Sequence, residues 1–437
     1  MRIGVTGLAR SGKTVLLSAI AASLLAPPGH RPFPGRLLGV RVAPGGAGTI
    51  PRFDPWGHLA ALAADPPRWP ARTDAVSLLA LELEVDASPL PPRRLRLELL
   101  DYPGEWLLDL PLLSVSFAQW SGEVLDRLER LPAAAAAEAV PFLRFVRSLP
   151  AGMAADEALA ASGHRLYRAL LNQLRDRHGL SLLQPGRFLM PPPGAEPPWM
   201  EFFPILGNGG LVSLMGERFE AYKTATRNDL ASPSFGRIDR LVVLADLLGA
   251  LHTGQVAFAD AQAALRATAR ALHWRGSWLA TLSAMARFGL PAPAIGRVAF
   301  AATKADHVGE RQRGNLESLL RNMVSVPATG SLTEAMATAP VPTACFALAA
   351  LRCTEDFVWS LDGHPVSAVR GRLIGGDRLT RSYPGEVPDV PPDATFWQHP
   401  FLKLPDFEPV RLPSAGRNGV PNIGLSTLLG FLLEDIL

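Results

Sequence analysis

Met1-Arg-Ile-Gly-Val-Thr6 runs directly into Gly7-Leu-Ala-Arg-Ser-Gly12-Lys13-Thr14, and the apolar stretch 15–25 follows. The order is a short buried strand, a glycine-bounded loop, then a helix. A G-x-x-x-x-G-K-T loop is shaped to hold phosphate, because successive backbone N–H groups curl around phosphate oxygens and only glycine lets the chain turn and approach that closely. Gly7 and Gly12 take those places, and Ala9, Arg10, Ser11 and Val15 complete the cradle between and beyond them. Lys13 is placed to reach the outer phosphates as a point charge and Thr14 to give its hydroxyl to Mg²⁺, while the helix N-terminus adds its dipole. By composition the bare pattern recurs in roughly one or two chains per hundred of this length. The strand and helix flanks thin that further, and a plain Gly-rich turn would not explain them.

Which nucleotide fits depends on a second motif far downstream. Gly296-Arg-Val-Ala-Phe-Ala-Ala302 reads as a buried strand and ends in Thr303-Lys304-Ala305-Asp306, a T-K-x-D pattern. A carboxylate at Asp306 can accept from both the ring N–H and the exocyclic amine of guanine; adenine offers no such donor pair and would leave a buried charge unmet. The stem of Lys304 would lie over the base plane. Alone the pattern is weak, since roughly one chain in seven of this length carries one. Its position at the end of an apolar strand promotes it. A further strand, 343–348, exits through Ala349-Ala350-Leu351, a natural place for a backbone amide on the guanine oxygen.

Between these motifs Arg94-Leu-Arg-Leu-Glu-Leu-Leu100 reads as a strand closing in Asp101-Tyr102-Pro103-Gly104, a D-x-x-G at a strand end. In P-loop proteins such an Asp holds Mg²⁺ through water and the Gly amide senses the terminal phosphate. The pattern itself is common, so its position is what gives it weight. A neighbouring strand, 75–85, is preceded by Trp69-Pro-Ala-Arg-Thr73, which puts Thr73 where a loop would cover the metal; Thr49 in a Gly-rich stretch is the rival.

Phosphate loop, threonine loop, D-x-x-G and T-K-x-D follow one another as in small regulatory GTPases. The strand still owed is Arg240-Leu-Val-Val-Leu-Ala-Asp246, with a helical stretch at 260–272 and a closing helix at 426–437. The expected fold class is α/β: a P-loop NTPase with a Ras-like, doubly wound, mostly parallel sheet and nucleotide at the carboxyl ends of its strands. The core is expected over 1–106, 236–356 and 420–437. Residues 107–235 form a mostly helical insertion after the second switch, with helices at 107–131, 138–149, 156–177 and 211–228 and a Pro-rich loop or linker at 183–204. Hinged on Gly104, it is placed to move when the terminal phosphate leaves. A second, smaller insertion spans 357–419, with a β-hairpin about Asp362-Gly363 and a Pro-rich stretch at 383–413.

The runs 7–15, 100–112 (Leu-Asp-Tyr-Pro-Gly-Glu-Trp-Leu-Leu-Asp-Leu-Pro-Leu), 240–246 and 423–435 together resemble the bacterial YcjX-like P-loop family across nearly the whole chain. The resemblance implies a cytoplasmic GTP-binding protein with weak GTPase activity, linked in many bacteria to the envelope (phage shock) stress response. One departure stands out: members usually carry residues ahead of the first strand, which here opens at Met1.

Catalytic expectations fall on Lys13, Arg10, Glu105 and Thr73, and the metal expectation on Thr14, Thr73 and Asp101. Glu105 follows the D-x-x-G motif where Ras-type enzymes keep the glutamine that orients water. A carboxylate there can accept from water but adds negative charge near the γ-phosphate, so intrinsic turnover should be slow. Arg10 would be an internal positive charge on the phosphates, or else a solvated or carboxylate-paired arginine. The cofactors expected are GTP or GDP with Mg²⁺.

Composition bounds the rest. With 437 residues, 48% of them hydrophobic, the chain can bury a core plus the inserted domain. A net charge of +3 and the lack of a basic run interleaved with aromatics argue against nucleic acid. A protein partner through the helical insertion is expected, and a peripheral contact with the anionic inner membrane stays open. Cys345 and Cys353 make no metal pattern, and Cys345 in an apolar strand reads as core in a reducing cytoplasm. No apolar run approaches a membrane span, and no signal peptide precedes the first strand. Asp54, Trp56 and His58 read as a packing group rather than a catalytic one. Two other classes stay in play: an ATP-using P-loop enzyme, and a non-hydrolysing scaffold gated by nucleotide.

Overall fold

The computed structural model describes residues 1–8, 11–43, 50–70, 76–191, 194, 196–231, 238–273, 295–325, 341–399, 401–412, 416 and 418–437, without the side chains of 230, 231 and 273. Strand β1 (Arg2–Gly7) is buried at every residue. Its Ile, Val and Thr suit a pleated surface covered on both faces. Around it lie β2 (Leu37–Val42), β3 (Ser77–Ala87), β4 (Leu90–Asp101), β5 (Arg240–Ala245), β6 (Arg297–Ala302) and β7 (Thr343–Ala347). The sheet order is β2-β3-β4-β1-β5-β6-β7. From β4 to β7 all neighbours are parallel, whereas β2 and β3 form an antiparallel ribbon with β4. Parallel neighbours need crossover connections. Helices Lys13–Leu25, Leu247–Thr253, Gln255–His273 and Glu310–Val324 lie on those connections, and Leu425–Leu433 closes the chain. The architecture is the expected α/β class with a mostly parallel central sheet.

A second sheet, β10-β9-β8, is built from β8 (Thr354–Leu361), β9 (His364–Arg372) and β10 (Leu379–Ser382), all antiparallel. Asp362 and Gly363 carry φ of 50° and 83°, both left-handed, as a two-residue hairpin turn requires.

The chain divides into two compact units. One comprises Met1–Pro103, Arg237–Gly254 and Leu272–Leu437; the other comprises Gly104–Gly236 and Gln255–Ala271. The 357–419 segment thus lies within the sheet-bearing unit, and most of the helix after β5 clusters with the helical one. A half-buried carboxylate ties it there: Asp260 accepts from the backbone N–H groups of Ser181 and Leu182.

The helical unit is built on helices Phe117–Glu129, Ala133–Ser148, Glu157–His178 and Gly210–Ala231. Ser116 caps the first by accepting from Gln119 N–H, and Asp156 caps the third by accepting from Leu159 N–H. Their apolar faces meet around Trp120, which stacks on Phe219 at 5.1 Å between ring centroids. The Pro-rich stretch 183–204 is not a linker. It holds a short helix, Gly186–Leu189, and a turn, Pro198–Met200, and sends Phe188, Met200, Phe202 and Phe203 into the core at no more than 1% exposure. Proline forbids regular structure there without forbidding burial. The expected 107–131 helix is likewise broken, by the turn Pro111–Ser114.

At the start of this unit, Asp109 is fully buried; it accepts from Gly186 N–H at 2.7 Å and from the hydroxyl of Tyr222. Burial raises its pKa from 3.8 to about 6, against the opposing pull of the Tyr222 hydrogen bond and the Arg187 charge. The folded chain therefore binds this proton more tightly than the unfolded one. That stabilisation is complete below about pH 4 and is lost as pH rises through 6. Two pK units correspond to about 3 kcal/mol. Urea denaturation of wild type and Asp109→Asn between pH 4 and pH 7 should show the stability difference moving toward the variant by about this amount as pH rises; parallel pH profiles would contradict the buried-charge account.

Candidate nucleotide site

Gly7 closes β1 opposite Leu244 of β5. A Cβ on Gly7 would lie 2.5 Å from the Leu244 carbonyl oxygen and 2.6 Å from Ser11 Oγ, so only glycine allows the strand end and the loop to pass this closely. The loop is tied down by Leu8 N–H donating to Leu244 O at 3.0 Å and Ser11 N–H donating to Leu8 O at 3.3 Å. Gly12, at φ 84°, turns the chain into the helix Lys13–Leu25, whose first internal bond runs from Leu16 N–H to Gly12 O. The amides of Lys13, Thr14 and Val15 therefore form the helix N-terminus. No side chain caps them, and no acidic residue sits in that turn. Such an end is a ready anion site. Lys13 Nζ donates back to Gly7 O at 3.3 Å, holding its charge against the loop. Ser11 Oγ is buried with no hydrogen-bond partner among the described residues.

Asp101 ends β4 at 5% exposure, with its Cα opposite Val5 of β1, and Tyr102 N–H donates to Val5 O at 2.9 Å. Thr14 stands half-buried at the first helical turn. These two hard oxygen donors suit Mg²⁺, which keeps several waters and takes few protein ligands when phosphates supply the rest. Among the described residues no group of three His, Cys, Asp or Glu side chains gathers into a metal cage, so a metal here would rest on that smaller set.

The T-K-x-D segment leaves β6 with Thr303 N–H bonded to Ala245 O at 2.9 Å, so it is pinned to the end of β5. Lys304 has a left-handed φ of 62° and pairs its ammonium with Asp246. Asp306 is 2% exposed; one carboxylate oxygen accepts from Cys353 N–H at 2.8 Å, and the other lies 3.2 Å from His307 Nδ1. Beyond β7, Leu348 O accepts from Ala305 N–H. The Ala349 N–H is engaged with Ile423 O at 3.0 Å.

A cavity of about 260 Å³ brings the motifs together. Ser11, Gly12 and Val15 from the phosphate loop share its wall with Thr303, Lys304, Asp306 and residues 348–351. Cys353, Trp69, Ile374, Asp406 and Phe407 also line it, and none of these was singled out by motif. Burial drives the Cys353 thiol far up and the half-buried Cys345 thiol up to about 11, so both stay protonated at neutral pH. Ala9, Arg10, Thr49 and Thr73 lie outside the described residues. Gly104 and Glu105 are buried in the helical unit, where the Glu105 carbonyl packs so tightly on Gly186 that a Cβ there would lie 1.7 Å from it. Asp54 caps the helix Pro55–Ala63 by accepting from Trp56 N–H, and His58 packs on Phe53, so that trio is structural.

Fold and site define an α/β protein with a glycine-bounded strand-to-helix loop at the carboxyl end of a mostly parallel sheet. The YcjX-like family model (DUF463) matches residues 1–437, and the chain belongs to that family. The Escherichia coli (strain K12) protein named Ras-like GTPase YcjX is 32% identical over all of this chain and 95% of its own length. The Shewanella oneidensis (strain MR-1) protein of the same name is 29% identical over all of this chain and 94% of its own.

The glycine geometry sets a ranking. Gly7→Ala drives a Cβ into a backbone carbonyl and should cost about 1–3 kcal/mol; Gly12→Ala, with nothing within 4 Å of its Cβ, should cost about 1–2 kcal/mol for the left-handed backbone alone. Thermal unfolding should rank Gly7→Ala as the less stable variant.

Proposed function

We propose that this chain binds guanine nucleotide with Mg²⁺, hydrolyses GTP to GDP and phosphate, and uses the bound state to set the pose of its helical unit. The observation that carries the reading is a cavity walled by both the phosphate loop and the T-K-x-D segment. The names of two relatives, both Ras-like GTPase, support the GTP-binding and hydrolysis part of it. In this reading the amides of the helix start and Lys13 hold the phosphates, and the Ser11 hydroxyl, unpartnered among the described residues, finds an acceptor there. Thr14 and Asp101 hold Mg²⁺, which when bound would neutralise charge developing on the phosphate oxygens. Asp306 reads the base. A carboxylate has about four acceptor sites, so the Cys353 amide and His307 leave capacity for two guanine donors. The amide of Ala350 or Leu351 would meet the guanine oxygen.

By its position after D-x-x-G, Glu105 would be the residue that orients water, and its negative charge would make unassisted hydrolysis slow. Arg10 would supply a compensating charge and Thr73 would cover the metal, both assigned from the sequence alone. The unit boundary between Pro103 and Gly104 falls within D-x-x-G, next to the amide that would sense the terminal phosphate. That supports treating the helical unit as an insertion whose pose follows the nucleotide and which offers a surface to a protein partner. Among the described residues no helix is long and apolar enough to cross a membrane; a cytoplasmic protein touching the inner membrane peripherally, acting in envelope stress, is the setting the family resemblance suggests.

Calorimetry with GDP, GTP, ADP and ATP in the presence of Mg²⁺ tests the reading. Wild type should favour guanine nucleotides by at least tenfold, Asp306→Ala should lose that preference, and Lys13→Ala should lose affinity for both triphosphates. Equal binding of adenine nucleotides would sink the guanine assignment and bring the ATP-using alternative forward.

A further inference from the structure

Trp69, Ile374, Asp406 and Phe407 stand in the cavity wall outside the sequence motifs. Phe407 is 2% exposed and is held from several sides. It bridges to Leu373 next to the end of β9, and its neighbours donate or accept across the same seam: Ile374 N–H to Asp406 O at 3.0 Å, and Glu408 N–H to Arg372 O at 2.7 Å. Gly371 makes room for the ring, because a Cβ there would come within 2.7 Å of it. The carbonyl of Phe407 accepts from the indole N–H of Trp69 at 3.1 Å. Its ring lies 5.3 Å from that of His307, whose Nδ1 is 3.2 Å from the Asp306 carboxylate. A continuous line of contacts therefore joins Trp69 to the base-reading carboxylate, through a residue at the far end of the sequence. Trp69 is 37% exposed and sits four positions ahead of Thr73.

Resting on the guanine reading above, we propose that Trp69 and Phe407 latch the base pocket and set how fast the nucleotide leaves. Phe407 backs His307, and His307 backs Asp306. The Trp69 hydrogen bond ties this wall to the segment that runs toward Thr73. Opening the pocket requires breaking that bond and withdrawing the Phe407 ring, so release is limited by the latch, whereas the choice between guanine and adenine stays with Asp306.

The two functions separate in a stopped-flow measurement of mant-GDP and mant-ADP dissociation from the full chain. Trp69→Phe keeps a ring and deletes only the donor; mant-GDP should leave about 3- to 10-fold faster, the kinetic equivalent of one hydrogen bond, with the preference for mant-GDP over mant-ADP unchanged. Phe407→Leu should accelerate release at least as much. Asp306→Ala should erase the preference itself. Dissociation within 1.5-fold of wild type in both Trp69→Phe and Phe407→Leu, with melting temperatures unchanged, would overturn the latch. If wild type shows no preference for mant-GDP yet both variants still release either nucleotide faster, the guanine reading fails and the latch stands. A wild type that retains neither nucleotide overturns both.

Discussion

The parallel pairing of β1 with β4 on one side and β5 on the other organises the rest of the molecule. Register fixes where strands end, and here it brings the ends carrying chemistry into one row: Asp101 beside Val5, Gly7 beside Leu244, Ala245 beside Ala302, and Ala302 beside Ala347. Each alignment is then secured by a loop bond across the same edge, from Tyr102 to Val5, Leu8 to Leu244, Thr303 to Ala245 and Leu348 to Ala302. A slip of one residue in any pair would turn that strand's side chains to the opposite face and separate the motifs. The missing Cβ of Gly7 lets β1 and β5 stay aligned to their last residue, which is why a constraint on one backbone atom pair governs a site assembled from segments some 340 residues apart.

The helical unit obeys a different constraint. Its entry segment is anchored by polar groups in an apolar setting: Asp109 on Gly186 N–H and Tyr222, Trp106 Nε1 donating to Met190 O at 2.7 Å, and Gln184 Nε2 donating to Leu108 O at 2.6 Å. Arg187 lies over the Trp106 ring at 4.9 Å, and its guanidinium pairs with Asp229. Buried polar networks are stabilising only when their members are satisfied together. The segments 104–110 and 184–190 are accordingly held as one piece rather than as a switch loop lying on a separate domain.

Legibility in the sequence followed burial. Strands β1, β5 and β6 are covered on both faces and read as continuous apolar runs, so their positions emerged within a residue or two. Strand β2 did not. It is a six-residue edge strand interrupted by Gly39 and Arg41, with a register shift against β3. Strand β4 begins at Leu90, ahead of the expected Arg94, because its first half pairs only with β3 and carries Pro91, Pro92, Arg93 and Arg94 on exposed backbone, where no apolar alternation is required. The T-K-x-D cavity was half legible. Thr303 to Asp306 announced themselves by motif and strand position, while Phe407 and Trp69 reach the same wall through tertiary contacts that leave no local spacing. Phe188, Phe202 and Phe203 were hidden for another reason: prolines around them imitate a linker.

The division between Pro103 and Gly104 gives the proposed switch its physical basis. Asp101 is fixed by β-sheet register and Glu105 by the wall of the helical unit, and only Tyr102, Pro103 and Gly104 lie between them. Tyr102 is itself bonded to Val5 and buried at 4% exposure, proline fixes its own φ, and Gly104 opens the short buried helix Gly104–Leu107. A ligand shifts an equilibrium only by as much as it binds two arrangements differently. In the proposed mechanism the terminal phosphate supplies that difference at the Gly104 amide. The residues after it are pinned through Gly186 and Asp109 inside the helical unit, so they form no slack loop in which that difference would be absorbed.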